Sequence, residues 1–226
     1  KCMTDKAGLL NWRRLKMKQS MQRKEFPAYL LYLSRKESFE NIIKSGILPL
    51  NEAKKKNLLS GSFADTDVQE IRERKSYYLS DAKSYNLHDV VPLYFKAKTP
   101  TLSVIRDQQE NLFFCKVSPL KLISDPKIAF AFTDGNAASD ITSSYYDLKK
   151  LDKLKWKVIH SEFWNDHADG KRIRNSEFLI SPKIEMKYIF EFSVNNQKLK
   201  EKFKNILLKN SIKIPVVVDE RCFFTT

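Results

Sequence analysis

The spacing of the glycines limits which nucleotide-binding folds this chain can form. Its 226 residues include five glycines, and no two of them lie within six residues of each other. Both the Rossmann GxGxxG turn and the P-loop need closely spaced glycines, because the backbone must approach the phosphates. Neither motif can be written anywhere in the chain. A nucleotide bound here must therefore be held by another device.

The charge balance points to a polyanionic partner. Lys and Arg total 41 against 27 Asp and Glu, a net charge of +14. Such an excess favours nucleic acid or an anionic membrane surface. No apolar run approaches the roughly 20 residues of a membrane span, and no signal peptide is visible. We therefore expect no membrane partner.

The cysteines and histidines argue against a metal site. Cys2, Cys115 and Cys222 lie far apart, and neither CxxC nor HExxH occurs. An odd number of scattered cysteines is typical of a reduced compartment. We expect no bound metal and a cytoplasmic location.

Apolar residues make up 42% of the chain, enough for a globular core. Residues 1–27 read as a basic, helical N-terminal extension, and residues 28–226 as one domain. The domain begins with a strand over 28–33. Ser34 then opens a helix, with Glu37 in the capping-box position and Gly46 at its end.

The rest of the domain alternates irregularly between strands and helices. One helix is predicted by the spacing of Leu199, Phe203, Ile206 and Leu207. Irregular alternation indicates an α+β fold in a single domain. Further strands are predicted over 91–95, 112–117, 128–132, 177–180, 188–192 and 214–218.

Two charged residues are candidates for chemistry. Glu177 opens an apolar strand directly after the basic stretch 171–174, so it is either a functional carboxylate or half of an ion pair with Arg172 or Arg174. Arg74 lies in a charged run. It is either part of a solvated helix face or a clamp for phosphate oxygens.

Four further stretches are candidates for contact with planar groups or nucleic acid. Residues 91–95, with 99–102 behind them, form either core packing or an aromatic wall for a ring. The basic stretches 149–157 and 171–174, together with Trp156, suit a groove that follows a nucleic-acid backbone and stacks its bases.

Taken in order, five segments resemble the DarT family of bacterial NAD-dependent DNA ADP-ribosyltransferase toxins. The resemblance spans roughly residues 29–192, and its last three segments are the most specific. The segments are LYLS at 31–34 with NIIKSGIL at 41–48, DVQ at 67–69 with RERK at 72–75, LHDVVPLYF at 87–95 with TPTL at 99–102, FTDGNAA at 132–138, and KRIRNSEFLI at 171–180.

The resemblance implies a fold and a reaction. The fold is α+β, a single ADP-ribosyltransferase-like domain whose split central β-sheet is flanked by helices. The reaction transfers ADP-ribose from NAD+, the co-substrate, to a base in single-stranded DNA, expected to be thymine, and releases nicotinamide. The resemblance further implies a monomeric toxin of the bacterial cytoplasm, within a toxin–antitoxin pair that includes a macrodomain antitoxin and serves in phage defence.

The resemblance also assigns residues. Glu177 is the expected catalytic glutamate, and Arg74 the arginine beside NAD and the target base. The expected NAD pocket consists of Tyr32, Leu33, Ser34, Asn41, Arg74, Tyr94 and Thr101. The expected DNA contacts are Lys171, Arg172, Arg174 and Trp156.

One departure from the family keeps alternatives open. The family commonly has histidine and threonine where this chain has Tyr32 and Ser34. Ser34 keeps the hydroxyl. The phenol of Tyr32 cannot reproduce an imidazole contact with ribose identically, although it can donate one hydrogen bond. The alternatives are the same chemistry on guanine, modification of RNA or protein, and a basic nucleic-acid-binding module without activity.

Overall fold

The computed structural model describes residues 27–59 and 66–225. The extension predicted over 1–27 lies, apart from its last residue, outside this part of the chain. The strands are β1 (Leu30–Arg35), β2 (Ser76–Tyr78), β3 (Ser84–Asn86), β4 (Val91–Tyr94), β5 (Leu112–Val117), β6 (Ala129–Thr133), β7 (Ser144–Tyr145), β8 (Glu177–Ser181), β9 (Ile189–Val194) and β10 (Val216–Val218). The helices are α1 (Phe39–Ser45), α2 (Leu50–Lys55), α3 (Thr66–Arg74), α4 (Pro100–Val104), α5 (Pro119–Ser124), α6 (Trp156–His160), α7 (Gly170–Arg174) and α8 (Gln197–Lys209). Short 3-10 turns cover Lys36–Ser38, Arg106–Asn111, Leu148–Lys153, Trp164–Asp166, Met186–Tyr188 and Glu220–Cys222.

One large sheet organises the described residues. Its eight strands lie in the order β10-β9-β5-β1-β4-β8-β6-β7, and β2 pairs with β3 in a separate hairpin. β10 runs parallel to β9, whereas the other neighbours in the large sheet are antiparallel. Helices flank this sheet within a single domain, which confirms the predicted α+β class.

The sheet is weakest at its centre, where its two halves meet. β1 pairs with β5 along all six of its residues, but with β4 through one pair of residues, Leu31 and Tyr94. On the other side of the split, Tyr94 of β4 pairs with Glu177 of β8. The two half-sheets can therefore separate beyond Leu31 and Tyr94, and the space between them opens beside Glu177.

Aromatic packing fixes α1 and α8 on the same face of the sheet. The ring of Phe39 stacks on that of Phe203 with 3.6 Å between centroids, and both rings meet Phe113 of β5 edge-on. The predicted stripe along α8 faces the core, because its apolar residues recur at helical spacing. Through this packing α1 is held against β1 at the rim of the split.

The start of the first helix differs from its prediction. Ser34 lies within β1, and α1 begins only at Phe39, after a 3-10 turn, with no side-chain cap. The capping-box prediction is wrong because Ser34 is committed to the β1–β5 ladder, where it pairs with Phe113. The end of the helix is as predicted: Gly46 takes a φ of +78°, which glycine adopts readily.

Across residues 27–59 and 66–225, none of the helices is both long and apolar enough to cross a membrane.

Replacing Phe39 with alanine tests the packing of α1. We expect the free energy of unfolding to fall by about 3–5 kcal/mol, because the variant loses a fully buried ring and leaves a cavity. The measurement is urea denaturation. The control is Val104→Ala, at a side chain that is 76% exposed, which should change stability by about 0.5 kcal/mol or less. Equal losses in the two variants would contradict the tight packing of α1 on the core.

Candidate active site

A cavity of about 250 Å³ lies where the two half-sheets separate. Strands β1, β4 and β8 contribute to its walls, together with α1, α2 and α3. The structure brings together in this cavity seven residues that the sequence placed at the site. These are Tyr32, Leu33, Ser34, Asn41, Tyr94, Thr101 and Glu177.

Glu177 supplies the negative charge of the cavity. Its side chain is 3% exposed and is the one carboxylate among the described residues that line this space. Arg72 Nη2 lies 3.2 Å from Oε2, and Nη1 lies 3.3 Å from both oxygens. The backbone N–H of Ala137 donates to Oε1 at 3.0 Å. The carboxylate is therefore held on two sides, at the first residue of a buried strand.

The arginine that contacts Glu177 in this cavity is Arg72, not Arg74. Arg74 is 79% exposed, donates to Glu70 at 3.2 Å and does not line the cavity. Successive helical residues are rotated by about 100°, so Val68 and Arg72 share one face of α3 while Arg74 points away from it. The predicted assignment of Arg74 to the NAD pocket is corrected accordingly.

The helical periodicity of α3 was the signal that could have found Arg72. Residues 68, 69 and 72 all line the cavity, which is the i, i+1, i+4 pattern of a buried helix face. The ion pair predicted between Glu177 and Arg172 or Arg174 is not formed. Glu177 pairs instead with Arg72.

Burial and the charge of Glu177 together determine the pKa values of the groups that line the cavity. Burial alone would lower the pKa of Arg72, but the charge and hydrogen bonds of Glu177 raise it above its ordinary value. Burial and the charge of Glu177 raise the pKa of Tyr94 to about 12. Burial also raises the pKa of Tyr32. At neutral pH the guanidinium is charged and both phenols keep their protons.

Polar contacts extend the site from Tyr94 towards β8. The Tyr94 hydroxyl donates to Thr101 Oγ1 at 3.4 Å, and Thr101 donates to Asn175 Oδ1 at 3.3 Å. Thr101 lies on α4, whose first turn is capped by the side chain of Thr99. This chain of hydroxyls and an amide links β4 to the residue that ends α7, two positions before β8.

His88 and Gln69 form a wall to which the sequence alone assigned no role. His88 Nε2 and Gln69 Oε1 lie 2.9 Å apart, and both residues line the cavity. Burial and then the positive charges of Arg72 and Lys54 lower the pKa of His88. The imidazole is therefore neutral at neutral pH. The neutral imidazole can hydrogen-bond to Gln69 of α3 or to a ligand in the cavity.

Two of the predicted DNA contacts are internal. Trp156 is 8% exposed, and its indole N–H donates to Leu151 O at 2.8 Å. Arg174 is 3% exposed, donates to the carbonyls of Ile159 and Ser161, and has its pKa lowered to about 10 by burial. Neither side chain can reach a nucleic acid in this fold, which corrects both predictions.

The other two predicted DNA contacts differ in exposure. Arg172 is largely buried, with ion pairs to Asp134 at 3.1 Å and to Asp169 at 2.6 Å. Its side chain is therefore occupied within the protein, against the prediction of a phosphate contact. Lys171 is exposed, so its predicted contact with DNA is compatible with the structure.

Within the described ranges, no group of three or more His, Cys, Asp or Glu side chains could hold a metal ion.

Comparison with known families places this chain in a class of enzymes that modify DNA. The family model described as "ssDNA thymidine ADP-ribosyltransferase, DarT" matches residues 31–224. The chain belongs to the DarT family. By this membership it is an NAD-dependent DNA ADP-ribosyltransferase.

Curated relatives come from the genus Thermus. A DNA ADP-ribosyl transferase of Thermus sp. (strain 2.9) is 25% identical over 189 residues, covering 80% of this chain and 88% of the relative. A DNA ADP-ribosyl transferase of Thermus aquaticus (strain ATCC BAA-2747 / Y51MC23) is 28% identical over 127 residues. That second match spans 54% of this chain and little more than half, 56%, of the relative.

Solved structures share the fold. Thermus sp. 2.9 DarT in complex with ADP-ribosylated ssDNA has a TM-score of 0.78 at 22% identity, over 88% of this chain and 97% of that one. The same protein in complex with NAD+ has a TM-score of 0.75 at 21% identity, over 88% and 98%. Thermosipho africanus DarTG in complex with ADP-ribose has a TM-score of 0.73 at 24% identity, over 87% of this chain and 51% of that one.

Alanine variants of the two arginines test which one the site depends on. Arg72→Ala should lower the free energy of unfolding by about 3 kcal/mol or more, because it leaves the Glu177 carboxylate buried without its cation. Arg74→Ala should change it by about 0.5 kcal/mol or less, since an exposed pair on a helix contributes little. Urea denaturation at pH 7 measures both. Similar losses would show that the Arg72–Glu177 contact is not a buried ion pair in solution.

Proposed function

We propose that this chain transfers the ADP-ribosyl group of NAD+ to thymine in single-stranded DNA, with Glu177 as the catalytic carboxylate and Arg72 as its partner. The observation that carries the proposal is the buried Glu177 carboxylate, fixed by Arg72 and by the Ala137 amide at the floor of the cleft. A buried carboxylate in a fixed orientation is suited to stabilising positive charge that develops on a substrate.

The residues that line the cleft fit a dinucleotide. Apolar side chains from β1 and α1 face hydroxyl and amide groups, including Ser34 and Asn41. The protonated phenols of Tyr32 and Tyr94 each offer a ring face, and the hydroxyl oxygen of Tyr94, which donates to Thr101, can still accept a hydrogen bond. The positive charge of Arg72 suits a phosphate or a polarised oxygen.

The chain's own groups divide the work of the reaction. NAD+ supplies an ADP-ribosyl group when its bond between ribose and nicotinamide breaks, and the ribose carbon then becomes positively charged. Glu177 faces that charge as a carboxylate, as acidic residues do in glycoside hydrolysis. Its low exposure excludes water, which strengthens the electrostatic attraction.

Arg72 takes over the role that was predicted for Arg74. A guanidinium has a pKa above about 12, so it is a poor general base. We assign Arg72 to orienting Glu177 and to stabilising negative charge on the attacking base nitrogen as its proton is lost to solvent. That nitrogen bonds to the ribose carbon, and nicotinamide leaves with the electron pair of the broken bond. Single-stranded DNA suits this chemistry, because its bases can enter a cleft without the unpairing cost of a few kcal/mol.

Guanine is the second candidate for the modified base. Tyr32 lines the cavity where the family commonly has histidine, so its phenol changes the hydrogen-bond donors that meet the sugar or the base. Oligonucleotides that contain only one of the two bases separate the candidates.

As an enzyme of this family, the chain is further proposed to act as a monomeric toxin in a bacterial cytoplasm. The partners implied are single-stranded DNA and an antitoxin with a macrodomain that removes the ADP-ribose. Cys115 and Cys222 are free and buried, in keeping with a reducing compartment. Toxin–antitoxin pairing and phage defence are part of the same proposal.

Glu177→Gln tests the catalytic assignment and the base together. We expect the rate of ADP-ribosylation to fall by about 10²-fold or more, because the amide keeps the shape of the side chain but not its charge. The assay incubates the protein and NAD+ with single-stranded oligonucleotides that contain either thymine or guanine in an otherwise fixed sequence, and mass spectrometry locates the added group.

The control for this experiment is Glu70→Gln, an exposed carboxylate on α3 that should leave the rate unchanged within about twofold. If only the guanine oligonucleotides were modified, guanine would replace thymine as the proposed target base. Full activity of Glu177→Gln would remove Glu177 from the mechanism.

Lys171→Glu tests the one predicted DNA-binding side chain that is exposed. Affinity for a single-stranded oligonucleotide should fall, and the slope of log K against log salt should become shallower by about 0.7 for each phosphate that the protein no longer neutralises. Fluorescence anisotropy across a salt series measures both. The control is Lys127→Glu, an exposed lysine beyond the opposite end of β8. Equal effects of the two reversals would indicate attraction by net charge alone.

A further inference from the structure

The loop between β6 and β7, residues 134–143, reaches across to the catalytic carboxylate. Its Ala137 N–H donates to Glu177 Oε1 at 3.0 Å. The carbonyl of the same residue accepts a hydrogen bond from the Tyr77 hydroxyl at 2.9 Å. We propose that Tyr77 and Arg172 are positioning residues, which clamp this loop from two sides so that Ala137 holds the Glu177 carboxylate in its reactive orientation.

Tyr77 clamps the loop from the side of the β2–β3 hairpin. Its hydroxyl lies 3.4 Å from a second acceptor, the carbonyl of Thr142, so one phenol contacts the middle of the loop and its C-terminal end. The ring is half-buried, and burial followed by the charge of Glu177 raises the pKa of Tyr77 to about 12. The phenol therefore keeps its proton and remains a donor throughout the physiological range.

Lys75 adds a contact on the same side. Its ammonium group donates to the carbonyl of Ser139 and lies 3.8 Å from Asp140. Lys75 and Tyr77 are two residues apart at the start of β2, so their side chains leave the hairpin on the same face. The hairpin thus holds the middle of the loop at Ala137 and Ser139.

Arg172 clamps the loop from the opposite side. Its Nη1 donates to Thr142 Oγ1 at 2.9 Å and to Asp134 Oδ1 at 3.1 Å, and its backbone carbonyl accepts from Asn136 N at 2.9 Å. A Cβ at Gly135 would collide with the guanidinium of Arg172. The glycine therefore allows the close approach of the arginine to the loop backbone.

This arrangement predicts an effect on the rate rather than on substrate binding. Tyr77 and Arg172 are absent from the residues that line the cavity, so neither touches a molecule bound there. Without a clamp the Ala137 amide can move, and the carboxylate then samples orientations that do not support charge on the substrate. The inference rests on the proposed function, because it concerns the carboxylate assigned to catalysis.

Tyr77→Phe is the main test, because it removes one hydroxyl and leaves the ring. We expect kcat to fall by about five- to tenfold, with KM for NAD+ and affinity for single-stranded DNA unchanged within about twofold. The matched control is Tyr85→Phe. Tyr85 lies opposite Tyr77 in the same hairpin, but its hydroxyl donates to Asp81. Equal kcat values in the two variants would overturn the proposal.

Arg172→Lys and Arg172→Ala separate the clamp from a DNA contact. The clamp predicts a loss of kcat with unchanged salt dependence of DNA binding, and partial recovery in the lysine variant, which keeps one charged donor. A direct phosphate contact predicts the opposite: weaker DNA binding with a shallower salt slope and an unchanged kcat at saturating DNA. That second result would remove Arg172 from the proposal.

Amide hydrogen exchange gives a readout that needs no activity. Peptides that cover residues 134–143 should exchange faster in Tyr77→Phe than in the wild-type protein or in Tyr85→Phe. Unchanged exchange would show that the loop is held without Tyr77 and would overturn the inference. An inactive wild-type protein whose loop is nonetheless protected in this way would instead count against the proposed function.

Discussion

The structure depends on one buried ion pair, between Arg72 of α3 and Glu177 of β8. Removing both charges from water is costly, and only close geometry with further hydrogen bonds can offset that cost. Here the carboxylate receives the guanidinium and the Ala137 amide. Residues 105 positions apart must therefore meet within hydrogen-bonding distance. The helix, the strand and the β6–β7 loop cannot move independently without leaving a buried charge unsatisfied.

The split in the sheet provides the place for this charge. Because β1 and β4 share a single residue pair, the half-sheets separate and leave a cleft beside Tyr94 and Glu177. Aromatic packing of α1 against α8 holds the β1 side of that cleft. The sheet is thus weakly paired between β1 and β4, while the aromatic core under β1 is tightly packed.

Part of the high positive charge of the chain lies inside the protein and is not presented to solvent. Three of the arginines near the cleft are used inside the protein: Arg72 by Glu177, Arg172 by Asp134 and Asp169, and Arg174 by backbone carbonyls. A net charge of +14 still favours approach of a polyanion. The internal arginines shape the site, and we propose that exposed side chains such as Lys171 make the contact with that polyanion.

Patterns local in the chain were sufficient for the main strands, for the helix α8 and for seven of the residues that line the cleft. Apolar runs predicted β1, β4, β5, β6 and β8, and the ordered motifs pointed to the family and to Glu177. Only the tertiary structure decided that Arg72 rather than Arg74 meets Glu177, that Trp156 and Arg174 are buried, and that Ser34 stays in a strand. The physical reason is that burial and ion pairing depend on contacts between residues far apart in the chain. A local pattern shows which side chains are charged or apolar, but packing determines which of them face each other and which face water.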